Sequence, residues 1–205
     1  MIDSIVAGAS RLACGPVVTW HCDPDTTRQR IYFANHSSHL DFVVLWASLP
    51  APLRRAVRPV AGRDYWERSA VRRYMAREVF RAILIQRTPA DATDRATPAQ
   101  HAIETMRREM GTDTSVIVFP EGTRSEDGEL HAFKSGLYYL ARATGAELIP
   151  VYLDNLNRIL PRGESLPVPM LSRVTFGASL DVEACEPKDI FLDRARAAVL
   201  ALKGH

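Results

Sequence analysis

Cysteine is scarce in this 205-residue sequence. The three cysteines, Cys14, Cys22 and Cys185, are widely spaced and form no CxxC pair, which excludes a disulfide framework and gives no sign of a zinc site. We therefore expect reduced thiols in a cytosolic environment and no bound metal. Internal repeats and low-complexity tracts are also absent, which excludes a repeat protein.

A long hydrophobic run and a basic signal-peptide start are absent as well. Asp3, Arg11 and Pro16 interrupt the first 20 residues, which fall short of the roughly 20 apolar residues of a spanning helix. Apolar side chains still recur there at helical spacing, at Ile2, Ile5, Val6, Ala9, Leu12 and Ala13. We expect an interfacial helical segment within residues 1–20, with a short core-packing helix as the alternative.

A large net charge is also missing, since 26 basic and 24 acidic residues leave only +2. The distribution is uneven, because residues 54–87 contain ten arginines against Asp64, Glu67 and Glu78. The ten are Arg54, Arg55, Arg58, Arg63, Arg68, Arg72, Arg73, Arg77, Arg81 and Arg87. We expect this segment to face an anionic partner, either a phosphate-bearing substrate or a lipid headgroup layer.

The composition is that of one folded domain. Hydrophobic residues make up 46% and charged residues 24%, and a chain of this length buries roughly 70% of its unfolded surface on folding. We predict a single domain over residues 1–205, with a motif-bearing core over residues 31–153.

Short β-rich runs alternate with helical patterns along the chain. We predict strands over residues 30–34, 83–86, 115–119, 148–153 and 173–176. Helices are predicted over residues 40–49, 64–79, 98–110, 135–144 and 188–203. This alternation predicts an α/β fold with a largely parallel or mixed sheet flanked by helices.

A first polar cluster follows the apolar run that ends at Phe33. It contains His36 and Asp41, which stand about 140° apart on a regular helix and therefore meet only if His36 precedes the helix. We expect Ser37 or Ser38 to cap that helix. A carboxylate bonded to one imidazole nitrogen leaves the other free as a base, which suits proton removal from an alcohol. A helix cap beside an ordinary loop histidine is the alternative.

A second polar cluster follows the predicted strand that ends at Phe119. Arg124 offers a planar fork suited to a phosphate, Glu121 suits a glycerol hydroxyl, and Gly122 allows close backbone approach. Lys134 adds a second cation at the start of a predicted helix, where backbone N–H groups also favour an anion. The pattern predicts a phosphate pocket, with an ordinary surface turn as the alternative. The nearby His39 is interpreted as a helix-surface residue.

Together the two clusters resemble the glycerolipid acyltransferase family typified by 1-acylglycerol-3-phosphate acyltransferases. The family's first motif, Asn-His followed by four residues and Asp, matches Asn35, His36 and Asp41. Its third motif, Phe-Pro-Glu-Gly-Thr-Arg-Ser, is matched completely over residues 119–125. The resemblance extends to Arg87 as the end of a partial second motif, and to an apolar-Pro-apolar fourth motif at residues 149–151.

The resemblance implies transfer of a fatty acyl group to the sn-2 hydroxyl of 1-acylglycerol 3-phosphate, which forms phosphatidic acid in phospholipid biosynthesis. His36 is implied as the base and Asp41 as its orienting partner. The implied substrate-binding residues are Arg87, Glu121, Gly122, Thr123, Arg124 and Lys134. The donor is expected to be acyl-CoA or acyl carrier protein, with no cofactor, and the location the cytoplasmic face of a membrane, as a peripheral protein.

Other functions remain open at this point. The acceptor is alternatively another lysophospholipid, a lyso-ornithine lipid or glycerol 3-phosphate. A thioesterase is a further alternative, although Arg124 and Lys134 would then have no purpose. A non-enzymatic basic module would bind an anionic surface, but the arginine-rich segment lacks the interleaved aromatics of a nucleic-acid platform, so no nucleic-acid partner is predicted.

Overall fold

The strands are short apolar runs whose side chains alternate between two helix-covered faces. In the strand Arg30–Ala34, Ile31 and Phe33 pack on one face, whereas Tyr32 and Ala34 pack on the other. All four side chains are fully buried, as expected for a strand in the middle of a covered sheet. The computed structural model describes residues 2–24, 27–86, 97–160, 168 and 170–204.

Strands and helices alternate through most of the described ranges. The strands are β1 Val17–Trp20, β2 Arg30–Ala34, β3 Val57–Gly62, β4 Ile83–Ile85, β5 Ser115–Val118, β6 Glu147–Asp154 and β7 Arg173–Phe176. The helices are α1 Ile2–Cys14, α2 Asp41–Ser48, α3 Ala51–Ala56, α4 Arg63–Trp66, α5 Ala70–Tyr74, α6 Pro98–Met110, α7 Gly136–Thr144, α8 Leu156–Ile159 and α9 Lys188–Leu200. A π-helical turn, Met75–Val79, continues α5. No helix in these ranges combines the length and the apolar character needed to cross a bilayer.

The strands form one mixed sheet in the order β1-β7-β6-β2-β5-β3-β4. The five strands from β6 to β4 in this order run parallel, whereas β7 is antiparallel to β6 and pairs in parallel with β1. Helices cover both faces, and the predicted α/β fold with a mixed sheet flanked by helices is confirmed.

Two hydrophobic clusters hold the helices on the sheet. On one face, Val44, Leu45 and Trp46 of α2 pack against the sheet together with Ala7 of α1. On the other face, α6, α7 and α9 contribute buried residues such as Met106, Leu140 and Phe191. The core therefore lies on both sides of β2 and β5, which fixes these two central strands.

The prediction missed four elements and merged others. Strands β1 and β3 and helices α3 and α8 were not predicted. Pro59, which lacks a donor N–H, makes β3 resemble a loop, yet Pro59 lies beside Ile117 of β5. The prediction of one continuous helix over residues 64–79 is wrong, because this range contains α4, α5 and the π-helical turn. Ser69 accepts the N–H of Arg72 and begins α5 as a separate helix.

The carboxyl ends of β2 and β5 lie side by side because the two strands are parallel neighbours. Asn35, directly after β2, joins this edge to β6. Its Nδ2 donates to the Leu153 carbonyl at 2.8 Å, and its Oδ1 accepts the Leu153 N–H at 2.7 Å. The buried amide thus completes the β2–β6 pairing where the ladder ends and the first polar cluster begins.

We expect Asn35→Ala to lower the free energy of unfolding by about 2–4 kcal/mol, because both backbone groups of Leu153 would lose a buried partner. Urea unfolding measures this change. Asn157→Ala, at an exposed position, serves as the control and should change stability by less than about 0.5 kcal/mol. An unchanged urea midpoint for Asn35→Ala would contradict this role for the amide.

Candidate active site

A histidine and an aspartate are joined at the end of β2. The Nδ1 of His36 lies 2.8 Å from Oδ2 of Asp41, whose side chain is completely buried. A buried carboxylate at Nδ1 favours the tautomer that carries its proton there, which would leave Nε2 as the acceptor. Within the described residues, Nε2 has no hydrogen-bond partner. The ring stacks on Phe119 with 4.2 Å between centroids, which fixes its plane.

The turn before α2 is organised by Asp41 itself. The same Oδ2 accepts the N–H groups of Ser37 at 2.6 Å and Ser38 at 2.8 Å. Helix α2 begins at Asp41 with Leu40 as its N-cap residue, and no side chain caps it. The prediction that Ser37 or Ser38 caps this helix is therefore wrong. The carboxylate satisfies the backbone of the turn and thereby places His36 outside the helix, as predicted.

Glu121 joins the two polar clusters. Its Oε1 accepts the backbone N–H of His36 at 2.7 Å, and its Oε2 accepts the N–H of His131 at 3.0 Å. Burial raises the pKa of this carboxyl, and the two N–H groups act in the opposite direction. The N–H of Ser125 also donates to the His36 carbonyl at 2.7 Å. Both carboxylate oxygens of Glu121 therefore bond backbone N–H groups and hold the two loops in place. The predicted contact with a glycerol hydroxyl did not include this structural role.

The loop that follows β5 requires glycine at its centre. Gly122 has a φ of +74°, and a Cβ at this position would lie 2.7 Å from Nζ of Lys134. The Lys134 chain therefore packs directly over the glycine, while its N–H donates to the Pro120 carbonyl at 2.9 Å. Thr123 is exposed and Arg124 is partly exposed beside it. The loop conformation brings Lys134 and Arg124 to one side of the site.

These side chains line a single cleft of about 1230 Å³. His36, Gly122, Thr123, Arg124 and Lys134 all contribute to its walls. Asp41 and Glu121 lie behind these walls as buried supports. The predicted residue Arg87 lies outside the described residues.

Apolar walls extend the cleft to both sides of the sheet edge. Residues that pack with the α2 face line one side, namely Phe42, Val43, Trp66, Met75 and Phe80. Residues that pack with the α6 and α7 face line the other, namely Val60, Ile85, Ile103, Met106 and Leu137. The cleft therefore combines a polar centre with apolar surface on two sides, which suits amphipathic ligands.

His39 and Tyr65 line the cleft, although neither was predicted to belong to the site. The ring of His39 stacks on the ring of Tyr65 with 5.2 Å between their centroids. The guanidinium of Arg72 lies 4.5 Å from the Tyr65 centroid. Partial burial lowers the pKa of His39, and the positive charge of Arg124 lowers it further by a smaller amount. The interpretation of His39 as a helix-surface residue agrees with its exposure but not with its position, since it precedes α2 and lines the cleft. Its nearness to His36 in sequence was the only available signal.

The arginine-rich segment does not act as one surface. Arg54 is buried, donates to the Leu49 carbonyl and lies 5.3 Å from the ring centroid of Trp46. Arg58 is tied to Glu109 at 3.1 Å. By contrast, Arg68 and Arg72 line the cleft and are exposed. The expectation that the whole segment faces an anion is wrong for Arg54, which is a structural residue.

The mixed sheet, the His–Asp pair after β2 and the Glu-Gly-Thr-Arg loop after β5 together define an α/β acyltransferase domain. The sequence profile of the Acyltransferase family matches residues 22–154. The chain therefore belongs to this family, and the resemblance seen in its motifs is confirmed.

The chain is similar to several 1-acyl-sn-glycerol-3-phosphate acyltransferases. It is 30% identical over 152 residues to one from Limnanthes douglasii, which covers 71% of this chain and 48% of that protein. It is 26% identical over 176 residues to the alpha form from Bos taurus, which covers 84% of this chain and 57% of that protein. The chain thus spans about half the length of these two relatives.

A solved structure has the same fold. The crystal structure of the 1-acyl-sn-glycerophosphate (LPA) acyltransferase PlsC from Thermotoga maritima matches with a TM-score of 0.70 and 20% identity. The match covers 100% of this chain and 79% of that chain.

We expect Glu121→Gln to lower kcat by about 10–100-fold while the KM for acceptor changes little, because an amide presents only one oxygen to the two N–H groups. Glu129→Gln, an exposed carboxylate in the same loop, is the matched control and should keep full activity. Steady-state kinetics with varied acceptor separates the two parameters. A large rise in KM at unchanged kcat would instead assign Glu121 to acceptor binding.

Proposed function

We propose that this protein transfers a fatty acyl group from a thioester to the sn-2 hydroxyl of 1-acylglycerol 3-phosphate, forming phosphatidic acid. The observation that carries this proposal is the single cleft in which His36, bonded to buried Asp41, lies with two cations and apolar walls. Relatives that bear the name of this activity support the choice of acceptor.

The His36–Asp41 pair supports direct attack by the acceptor. Nε2 removes the proton from the acceptor hydroxyl as its oxygen bonds to the thioester carbonyl carbon. The buried carboxylate of Asp41 stabilises the imidazolium that forms. When the tetrahedral intermediate collapses, the C–S bond breaks and the imidazolium returns its proton to the leaving thiolate. The products are an ester and a free thiol, and the base is regenerated.

The cations in the cleft suit the acceptor's phosphate. Arg124 offers paired N–H donors, and Lys134 adds a mobile charge packed over Gly122. Ser135 and Gly136, at the start of α7, line the same part of the cleft. A phosphate bound here would be held near His36, and we assign the remaining predicted contacts, Thr123 and Arg87, to the acceptor as well.

The two apolar sides of the cleft suit two acyl chains. One chain belongs to the lysolipid and the other to the thioester donor, which is acyl-CoA or acyl carrier protein. A thioesterase needs only one such wall and no phosphate site. A basic binding module would leave the His36–Asp41 bond and the clamp at Glu121 without a purpose. These observations favour acyl transfer over both alternatives.

Helix α1 supports a peripheral position at a membrane surface, which we assign to the cytoplasmic face. Ile2, Ile5 and Leu12 are exposed on it, whereas Ala7 and Cys14 are buried against the core. Arg11 turns inward and donates to the Ala47 carbonyl at 2.8 Å. An apolar outer stripe of this kind suits the interfacial segment predicted within residues 1–20.

We expect His36→Ala to reduce the formation of phosphatidic acid by about 10²–10⁴-fold, because the hydroxyl would lose its base. Purified protein is incubated with oleoyl-CoA and lysophosphatidic acid in mixed micelles, and the product is measured by mass spectrometry. His101→Ala, on the exposed side of α6, is the histidine control. Full activity of His36→Ala would overturn the mechanism, whereas product with only another lysolipid would change the substrate alone.

Arg124→Ala should raise the KM for lysophosphatidic acid by about 10–100-fold, because a charge-assisted bond contributes about 1.5–3 kcal/mol. The effect should be small with monoacylglycerol, which has no phosphate. Arg108→Ala, an exposed arginine on α6, is the matched control. Equal losses with both acceptors would show that Arg124 does not recognise the phosphate.

A further inference from the structure

Two apolar side chains stand exposed among the arginines of α5 and the π-helical turn. Val71 is 72% exposed and Tyr74 is 48% exposed, and the two lie three residues apart on one helix face. Residues 68–77 contain four arginines and no acidic residue. We call this segment, residues 68–77, the arginine helix.

The charges of the arginine helix are only partly compensated. Arg77 contacts Glu67 at 3.3 Å, and Arg73 donates to the backbone carbonyl of the same residue at 3.4 Å. Arg77 and Glu67 are both solvent-exposed at 56% and 36% of their side chains, so this pair is weak. Two carboxylates, Glu67 and Glu78, flank the four arginines, which leaves a net charge of +2 around two apolar side chains. Such a combination suits the interface of an anionic bilayer, where apolar groups enter and arginines contact phosphates.

The arginine helix is continuous with the cleft. Arg68, Val71 and Arg72 belong to both, and Met75 carries the apolar wall inward. Val6 of α1 lines the same cleft. The cleft therefore joins the arginine helix to His36 along a wall that includes Val71, Met75 and Phe42.

We propose that the arginine helix is a second membrane-contact element, which binds anionic lipid headgroups and holds the mouth of the cleft against the bilayer. This inference rests on the proposed function only for the point that the acceptor is itself a lipid. The arginines bind phosphates at the surface, while Val71 and Tyr74 enter the headgroup layer. Helix α1 supplies the first contact through its exposed apolar stripe.

A bilayer fits these features better than an acidic protein does. Exposed apolar residues lie on both α1 and the arginine helix, and each element also contributes a residue to the wall of one cleft, Val6 and Val71. The α1 stripe of Ile2, Ile5 and Leu12 offers an acidic protein nothing to bind. An extended bilayer surface contacts both elements and supplies the acceptor at the same place.

The double variant Arg73→Gln/Arg77→Gln tests the electrostatic part, because neither side chain lines the cleft. Its partition onto vesicles of phosphatidylcholine and phosphatidylglycerol, measured by co-sedimentation, should fall about 30-fold, since each basic residue contributes about 1 kcal/mol. Arg107→Gln/Arg108→Gln on α6 removes the same charge from an exposed pair and should have little effect. Pure phosphatidylcholine vesicles should not distinguish the two variants.

A second pair of variants tests the apolar part. Tyr74→Asp should weaken vesicle binding, whereas Ile190→Asp, 58% exposed on α9, should not. Activity toward a short-chain, water-soluble lysophosphatidic acid should stay unchanged in Arg73→Gln/Arg77→Gln, while activity toward vesicle-bound acceptor falls. A matched thermal midpoint for all variants shows that folding is unaffected.

Equal vesicle binding by the two arginine double variants would overturn this inference. A loss confined to binding of an acidic acyl carrier protein, with vesicle binding unchanged, would also overturn it and assign the surface to the donor. Neither result depends on the proposed function. Conversely, a protein that binds vesicles through Arg73 and Arg77 but yields no phosphatidic acid would overturn the proposed function and leave this inference standing.

Discussion

The parallel pairing of β2 with β5 is the constraint on which the site depends. It brings the turn that contains His36 beside the loop that contains Glu121, although 85 residues separate the two. The bond from the His36 N–H to Glu121, and the bond from the Ser125 N–H to the His36 carbonyl, then lock both loops together. The backbone of His36 is thus held on both sides of its side chain. In the proposed mechanism, this fixed backbone would hold the base in one orientation toward the cleft.

The buried position of Asp41 gives this arrangement its chemical character. A carboxylate without solvent is costly unless donors surround it, and here one oxygen accepts from the imidazole and two backbone N–H groups. The other oxygen, Oδ1, is buried and has no partner among the described residues. Because the hydrogen bonds are made to Oδ2 alone, the stabilised side of the Asp41 carboxylate is the side that contacts the imidazole. Asp41 therefore serves the fold of the turn and the orientation of the base at once.

The apolar sides of the cleft affect the interactions at its polar centre. Phe119 packs against the imidazole, and aromatic residues of α2 and α4 continue this surface. Water is less concentrated beside such walls, which strengthens the charge interactions at the centre. The same walls give acyl chains a favourable place to lie, so one feature serves both substrate binding and chemistry.

The sequence predicted the fold class and most of the site because its signals are local. Each polar cluster follows an apolar run, and the spacing of His36 and Asp41 required a turn before the helix. The features that were not predicted depend on contacts between residues far apart in the sequence. The stack of His39 on Tyr65, and the internal use of both Glu121 oxygens, follow from strand order, which periodicity does not reveal. Strand β3 was missed because Pro59 resembles a loop residue.

Direct transfer without an acylated protein is the central claim of this account. Among the described residues, no serine or cysteine is hydrogen-bonded to the His36 ring. The most direct test mixes the protein with an acyl thioester alone, then with acceptor, and measures free thiol and intact protein mass after rapid quenching. We expect no acyl adduct and no thiol release until the acceptor is added. An acylated protein would contradict direct attack by the acceptor hydroxyl, whereas thiol released without an acyl adduct would indicate hydrolysis of the thioester by water.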